Sequence, residues 1–238
     1  MTNHDRPQGA RALWNETATF IALTAAVGMI ALVMIGLGRA SGLEGVSFIT
    51  GAVCVWLTVK ENIWNFPIGL LNTATFSVVF FEARLFGDAG LQIVYFVLGL
   101  VGWYLWLYGG EKRTRLRVAQ ASGVERAAVA LAVAASTFFL WRTLRFLGGS
   151  ASFWDALTTS LSLGAQWLLN RKRIESWQLW IVVDAIYVPL YVSRGLYLTA
   201  ILYAVFLIMA FFGLAHWQES FRRALRGQAA ATGALAES

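Results

Sequence analysis

Eight apolar segments of the chain are long enough, or nearly long enough, to cross a lipid bilayer as helices. The hydrocarbon core of a membrane requires about twenty mostly apolar residues per helix. The segments lie at roughly 17–38, 45–59, 63–81, 88–108, 125–147, 152–169, 177–193 and 196–217. Of the 238 residues, 58% are hydrophobic and only 13% are charged, whereas a soluble domain has about a quarter charged residues. The sequence therefore predicts an all-α integral membrane protein with eight transmembrane helices.

Positive charge is concentrated in the connections and in the tail. The basic positions are the runs 111–117, 171–173 and 221–226, with Arg6, Arg11 and Lys60. With eight helices, all of them fall on one side of the membrane, and Lys and Arg are enriched in cytoplasmic loops. We therefore expect both termini in the cytoplasm. The net charge of +6 then determines topology, and binding of nucleic acid is not expected.

A weak internal repeat appears when the chain is compared with itself at an offset of 111 residues. The matching positions pair Trp56 with Trp167, Lys60 with Arg171, Gly102 with Gly213, Trp106 with Trp217, and several residues of 85–91 with 196–202. The offset spans four helices, so the two three-helix blocks run in the same direction. The predicted organisation is an N-terminal segment with an extra helix (1–44), a first block (45–110), a basic loop and linker helix (111–150), a second block (151–217) and a basic tail (218–238).

Few residues could support catalysis or bind a metal. Cys54 is the single cysteine, so no internal disulfide can form, and the two histidines, His4 and His216, lie near opposite ends of the chain. The sequence also lacks nucleophile-elbow, zinc-protease and phosphate-loop motifs. We expect no catalytic residue, no metal and no cofactor.

The third segment contains the polar stretch ENIWNFPIGLLN at 61–72. Asn65 and Asn72 are seven positions apart and share one helix face, with Trp64 beside them. Pro67 is expected to bend this helix. Polar groups in a membrane helix must meet protein or water, so the two amides line a cavity or form an interhelical network. Glu61 belongs to the preceding turn, where water can satisfy it.

The seventh segment carries a polar aromatic stripe. Trp180, Asp184, Tyr187 and Tyr191 recur at spacings of four, three and four residues. A carboxylate within a membrane span is costly unless it is paired, protonated or hydrated, so it indicates a functional site. The alternative is a structural acceptor for a neighbouring Tyr, Gln or Arg.

Three other segments supply further candidates. These residues are Gln92 and Tyr95 on the fourth segment, Thr159, Ser162 and Gln166 on the sixth, and Thr199 and Tyr203 on the eighth. Amides in membrane helices often bond to neighbouring helices, and serine and threonine often bond to their own backbone. Gln92 and Gln166 are therefore the stronger candidates of this group.

Several stretches together resemble the bacterial PnuC transporters. They are WNFPIGLLN, FFEARLFGDAGLQIVYFVLGLVGWYLW at 80–106, RKRIESWQLWIVVD, and RGLYLTAILYAVFLIMAFFGLAHW at 194–217. The resemblance covers roughly residues 45–217. It implies a three-plus-one-plus-three helix fold related to the SWEET transporters, a homotrimer in the bacterial inner membrane, and facilitated diffusion of nicotinamide riboside. A separate cytoplasmic kinase would trap the substrate.

The family's substrate-facing amides match Asn65, Asn72 and Gln92. Its tryptophan and asparagine of the seventh helix match Trp180 and Asp184, so this chain has Asp where many members have Asn. The resemblance thus predicts that Trp64, Trp180 and Tyr187 stack on the substrate ring, while Asp184 neutralises a cation. Tyr95, Gln166, Tyr191, Thr199 and Tyr203 are further possible contacts.

Four other readings remain open. Thiamine carries a fixed positive charge as nicotinamide riboside does, so Asp184 suits both; riboflavin is neutral and gains nothing from this acid. Asp184 could instead couple transport to protons. Under a non-transporting hypothesis, the helices anchor or assemble other proteins through faces of small residues, and the protein carries no flux of substrate.

Overall fold

The structure, a computed structural model, describes residues 42–82, 86–146, 152–193 and 197–236, with shorter pieces between residues 22 and 38. Those ranges contain the helices α1 Gly42–Val59, α2 Asn65–Glu82, α3 Phe86–Tyr108, α4 Gly123–Phe146, α5 Ser152–Asn170, α6 Glu175–Ser193 and α7 Tyr197–Ala236. A short 3-10 helix covers Glu111–Arg113. The described residues between 22 and 36 are helical as well, and the all-α prediction is confirmed.

The bounds of α1 to α6 lie within three residues of the predicted segments, but α7 is much longer than predicted. We expected it to end near 217, where the apolar run ends, and it continues to Ala236. The continuation is rich in Ala, Arg and Gln, which have high helix propensity. Charge therefore ends the membrane-compatible stretch without ending the helix. The first predicted segment, 17–38, lies largely outside the described residues.

Three described helices are long and apolar enough to cross a membrane by length and composition. They include Ala89–Tyr108, Gly123–Phe146 and Ala200–Ala229, and Phe48–Val59 is a shorter apolar helix. The helices α2, α5 and α6 carry the Asn, Ser, Thr and Asp side chains that lower their apolar character. The weaker membrane signal of these helices thus arises from the polar groups considered below.

Helix packing follows a regular order. Within the first block α2 packs against α1 and α3, and within the second block α6 packs against α5 and α7. Contacts between the blocks join α1 to α7 and α3 to α5, while α4 packs on α5. These contacts close a ring of six helices in which α2 and α6 pack mainly against members of their own blocks.

The turns that begin α2 and α6 have the same backbone geometry. Glu61 and Lys172 both adopt left-handed conformations, with φ of 53° and 51°. The amide of Asn62 donates to the Leu57 carbonyl oxygen at 2.8 Å, and the amide of Arg173 donates to the Leu168 carbonyl oxygen at 2.9 Å. Each pair is separated by the repeat offset of 111 residues.

Glu61 is not simply hydrated in its turn, as we had expected. Its carboxylate forms an ion pair with the Lys172 ammonium at 2.9 Å, and the Lys172 side chain is only 8% exposed. A buried ammonium needs such a partner because desolvation of a lone charge is costly. The two turns are therefore held together by opposite charges at equivalent positions.

The core near these turns contains four buried tryptophans, Trp56, Trp106, Trp177 and Trp217. The Trp106 indole N–H donates to the Leu169 carbonyl oxygen at 3.2 Å, and the Trp217 indole N–H donates to the Thr58 carbonyl oxygen at 3.2 Å. Both indoles are buried. Each block thus donates a hydrogen bond to the end of the other block's first helix.

Two glycines allow close packing beside these tryptophans. A Cβ at Gly213 would lie within 2.6 Å of the Trp177 ring, and a Cβ at Gly102 would lie 2.6 Å from the Phe66 ring. Phe66 packs edge-on against Trp106 at 5.0 Å, as Trp177 does against Trp217 at 5.4 Å. The glycines therefore create the space that these rings occupy.

The basic segments meet at one end of the bundle, which we call the basic end. Lys60, Arg115 and Lys172 line one cavity there. Arg115 and Arg117 line a second cavity with Ser220 and Ala224 of α7. The loop before α4 contacts the turn that begins α6, because the Ala119 amide donates to the Lys172 carbonyl oxygen at 3.1 Å.

Candidate functional site

Three tyrosine rings form a compact cluster between α6 and α7. Tyr187 and Tyr191 lie one helical turn apart on α6 and stack with centroids 5.3 Å apart. Tyr203 of α7 contacts Tyr187 at 4.7 Å and Tyr191 at 5.2 Å. The structure therefore brings together one predicted contact residue and two possible ones.

Asp184 lies on the same face of α6, one turn before the tyrosines. Its side chain is buried, with 4% of the residue exposed, and it interacts electrostatically with Tyr203. Within the described part of the chain, no lysine, arginine or histidine forms an ion pair with it. A buried carboxylate without a cation is poised to receive one, since it attracts positive charge strongly away from water.

Tyr95 extends the cluster to the first block. Its hydroxyl lies close to the Ser162 side chain of α5, and it interacts electrostatically with Tyr187. Ser162 itself is buried. The polar centre thus receives side chains from α3, α5, α6 and α7.

Asn72 approaches the same region from α2. Its Nδ2 donates to Thr50 Oγ1 of α1 at 2.9 Å. A Cβ at Gly51 would lie 3.6 Å from both the Asn72 amide and the Phe206 ring. Phe206 in turn packs edge-on against Tyr203 at 5.8 Å. Asn72 and Phe206 therefore both lie beside Gly51, and Phe206 contacts the tyrosine cluster.

Sequence reasoning did not identify Phe206 or Gly51 as site residues, although both correspond across the repeat to residues that it did consider. At the offset of 111, Phe206 corresponds to Tyr95 and Ser162 to Gly51. The proximity of Phe206 to Gly51 therefore corresponds to the proximity of Tyr95 to Ser162. The repeat relates these positions in the sequence, but it does not show that they lie together.

Asn65 lies in the first turn of α2, nearer the basic end. It is 3% exposed, and its side-chain nitrogen and oxygen find no hydrogen-bond partner within the described residues. The Cys54 thiol donates to its main-chain oxygen at 3.3 Å. Seven residues of helix separate Asn65 from Asn72 by about 10 Å, so the two amides occupy different levels of the bundle. A buried amide without a partner is costly and is available to a ligand.

Pro67 does not bend α2 as expected. The helix begins at Asn65, so Pro67 lies in the first turn, where its missing N–H has no partner to lose. Pro189 lies inside α6, where it removes one backbone hydrogen bond of the helix. The two prolines are not equivalent at the repeat offset of 111.

Other predicted residues lie outside this cluster or are used differently. Trp64 is 64% exposed in the turn before α2, and Trp180 packs against the tryptophan core. Gln166 donates to Asn170 Oδ1 at 2.9 Å, and Asn170 donates to the Leu98 carbonyl oxygen at 2.8 Å. The Gln166 amide therefore supports a link between α5 and α3.

Two remaining candidates lie on α3 and α7. Gln92 is half-buried on α3, at the position equivalent to Tyr203. Thr199 belongs to α7, but its side chain lies outside the described residues.

The apolar helices enclose a carboxylate, an amide and several tyrosine rings, which defines a multi-pass membrane protein with a polar site between its helices. The chain belongs to the family described as nicotinamide mononucleotide transporter, whose model matches residues 41–219. The resemblance to the PnuC transporters seen in the sequence is thereby confirmed.

Curated relatives include transporters for different vitamins. The chain is 27% identical over 208 residues to the nicotinamide riboside transporter PnuC of Escherichia coli (strain K12), covering 76% of this chain and 87% of the relative. It is also 27% identical over 181 residues to the riboflavin/roseoflavin transporter RibM of Streptomyces davaonensis, covering 74% and 84%. Sequence identity therefore does not distinguish the two substrates.

A solved structure has the same fold. The crystal structure of the vitamin B3 transporter PnuC is similar with a TM-score of 0.69 and 24% sequence identity, over 85% of this chain and 91% of that chain. The helical architecture is therefore that of a known transporter structure.

Proposed function

We propose that this protein imports nicotinamide riboside across a bacterial inner membrane by facilitated diffusion. The observation that carries the proposal is the buried carboxylate of Asp184, which has no ion-pair partner among the described residues and adjoins the Tyr187, Tyr191 and Tyr203 cluster. Nicotinamide riboside carries a fixed positive charge on an aromatic ring. A carboxylate neutralises that charge, and tyrosine faces add cation–π attraction of about 0.5 to 2 kcal/mol.

The remaining predicted contacts fit the amide and hydroxyl groups of the same substrate. Asn72 and Gln92 would bind the ribose hydroxyls or the carboxamide, and Asn65 would do so at a second level along the path. Trp64 and Trp180 would contact the ring only as it enters or leaves, since Trp64 is exposed and Trp180 borders the tryptophan core. The tyrosine rings pack on one another, so a bound ring must separate them.

The proposed architecture has a three-plus-one-plus-three arrangement of parallel blocks linked by α4, related to the SWEET fold. Matching turns and reciprocal tryptophan bonds support it. The family resemblance adds a homotrimer with one path per protomer, and trapping of the riboside by a separate cytoplasmic kinase. Because basic loops favour the cytoplasm, the basic end and both termini are proposed to face inward.

Uptake of labelled nicotinamide riboside into proteoliposomes tests the proposal. Wild-type flux should be saturable, should stop at equal concentrations inside and outside, and should be competed by unlabelled riboside. Asp184→Asn should raise the KM for the riboside at least about tenfold, which corresponds to about 1.4 kcal/mol. Glu219→Gln, an exposed acid paired with Arg223, is the matched control. Absence of flux in wild type would favour the non-transporting reading.

The alternative substrates are separated by competition in the same assay. Competition by thiamine without competition by unlabelled riboside would overturn the riboside assignment. The relative RibM is named as a riboflavin/roseoflavin transporter. For this protein, riboflavin should compete poorly because it has no charge for Asp184 to neutralise. Equal riboside uptake by wild type and Asp184→Asn would contradict recognition of charge.

Proton coupling is the second mechanism that Asp184 favours. An imposed pH gradient should then drive accumulation above the external concentration, and Asp184→Asn should abolish that accumulation. Facilitated diffusion predicts no accumulation under the same gradient.

A further inference from the structure

A positively charged cavity lies at the basic end, away from the tyrosine cluster. It has a volume of about 240 Å³ and is bordered by both turns and by the loop after α3. Its charged lining residues are Lys60, Glu61, Arg115 and Lys172, with Asn62 and Trp106 beside them. Three cations face one carboxylate, so the cavity has an excess of two positive charges.

Lys172 is the buried member of this group. Its ammonium lies 2.9 Å from the Glu61 carboxylate and 4.4 Å from the centre of the Trp106 ring. Lys60 lies over the Trp56 ring at 4.8 Å, and Arg115 is exposed at the rim. The ring faces orient the two ammonium groups through cation–π contacts.

A second cavity adjoins the first and shares Glu61 and Arg115 with it. Its volume is about 490 Å³, and its lining adds Arg117 and, from α7, Ser220. The first cavity is below the usual range of about 300 to 1,000 Å³ for small-molecule sites. The second therefore supplies room for the remainder of a ligand whose charged group occupies the first.

We propose that the cavity between Lys60, Arg115 and Lys172 binds the phosphate group of an anionic ligand. An arginine fork and two ammonium groups are the side chains that bind phosphate best in proteins, and the Asn62 amide can donate a further hydrogen bond. The phosphate belongs either to a lipid headgroup or to a small soluble phosphate ester. In both cases the chemistry at the three cations is the same.

A bound phosphate would compete with Glu61 for Lys172. Since the Glu61–Lys172 pair joins the first turn to the second, the ligand would weaken one link between the two blocks. The site therefore couples an anion at the basic end to the contact between the blocks. This proposal does not depend on which substrate the protein carries.

Thermal unfolding of the purified full-length protein in detergent tests the site. Inorganic phosphate, compared with chloride at equal ionic strength, should raise the Tm by about 3 to 6 °C at ten times its Kd. Arg115→Gln and Lys60→Gln should remove the shift, whereas Arg142→Gln, an exposed arginine of α4, should keep it. Glu61→Gln should tighten phosphate binding by about tenfold, because it removes the competing carboxylate.

A second arm identifies the source of the phosphate. The protein is reconstituted in phosphatidylcholine vesicles with or without one-fifth phosphatidylglycerol, and the same variants are compared. A rise in Tm that occurs only with phosphatidylglycerol supports a lipid ligand at the site. This rise should be lost in Arg115→Gln and kept in Arg142→Gln. A shift with inorganic phosphate supports a soluble ligand. No response in either arm, or equal responses of Arg115→Gln and Arg142→Gln, would overturn the proposal.

Discussion

Trp106 and Trp217 lie 111 positions apart, and their indole rings meet with centroids 5.9 Å apart. Each donates a hydrogen bond to the other block, to Leu169 and to Thr58 respectively. The equivalence found in the sequence is thus expressed as an equivalence of contacts. In each direction, an indole N–H of one block donates a hydrogen bond to a main-chain carbonyl oxygen of the other block.

Replacement of either indole should destabilise the protein by a similar amount. Trp106→Phe and Trp217→Phe each lose one buried hydrogen bond and leave a small cavity, which together cost about 1 to 3 kcal/mol. Thermal unfolding in detergent measures the effect, and Trp154→Phe, at a half-exposed position, is the control. A cost no larger than that of the control would contradict the reciprocal role of the two indoles.

A methyl group at Gly213 should be tolerated poorly. The added Cβ would lie 2.5 Å from the Trp177 ring, and overpacking of a core costs about 1 to 3 kcal/mol. Gly213→Ala should therefore lower the Tm. Gly123→Ala, where nothing lies within 4 Å of the added Cβ, should not. Equal melting temperatures for the two variants would show that α7 can move away from Trp177.

Substitutions at Gly51 should distinguish an effect on folding from an effect on transport. An alanine there makes ordinary contacts at 3.6 Å with the Asn72 amide and Phe206, so Gly51→Ala should fold normally. Gly51→Leu should reduce substrate uptake at least about tenfold, because its larger side chain fills the space between Asn72 and Phe206. Gly90→Leu, at an open position, is the control for added bulk in a helix. Normal uptake by Gly51→Leu would place the path elsewhere.

The ring of Tyr203 should matter more than its hydroxyl. Loss of the aromatic face in Tyr203→Leu removes a cation–π contact and should raise the KM for nicotinamide riboside about 2- to 30-fold. Tyr203→Phe keeps the ring and should change the KM much less. Proteoliposome uptake measures both. The reverse order would indicate that the hydroxyl holds the substrate by a hydrogen bond.

The positions of the helices could be predicted because apolar length and basic loops follow directly from the bilayer. The partners of individual side chains could not be predicted in the same way. Asn65 and Asn72 share a helix face, but only the packing of α1 shows that Asn72 bonds Thr50 while Asn65 finds no partner among the described residues. Trp64 is exposed because α2 starts one residue after it.

Glu61 illustrates the same limit of sequence reasoning. A turn rich in charge suggests hydration, and its actual partner is Lys172, a residue of the other block. The offset of 111 connects the two positions, but equivalent residues of a repeat rarely carry opposite charges that touch. The ion pair forms because the two turns lie side by side in the folded protein.

The 40 residues of α7 span about 60 Å, roughly twice the thickness of a hydrocarbon core. In a continuous helix of this length, a small tilt near one end displaces the other end by a large distance. A tilt of about 10° at the level of Tyr203 would displace its far end by about 9 Å if the helix stays straight. A fluorophore or spin label near Gly227 would thus report rearrangements around the tyrosine cluster from a distance of about 36 Å along the helix.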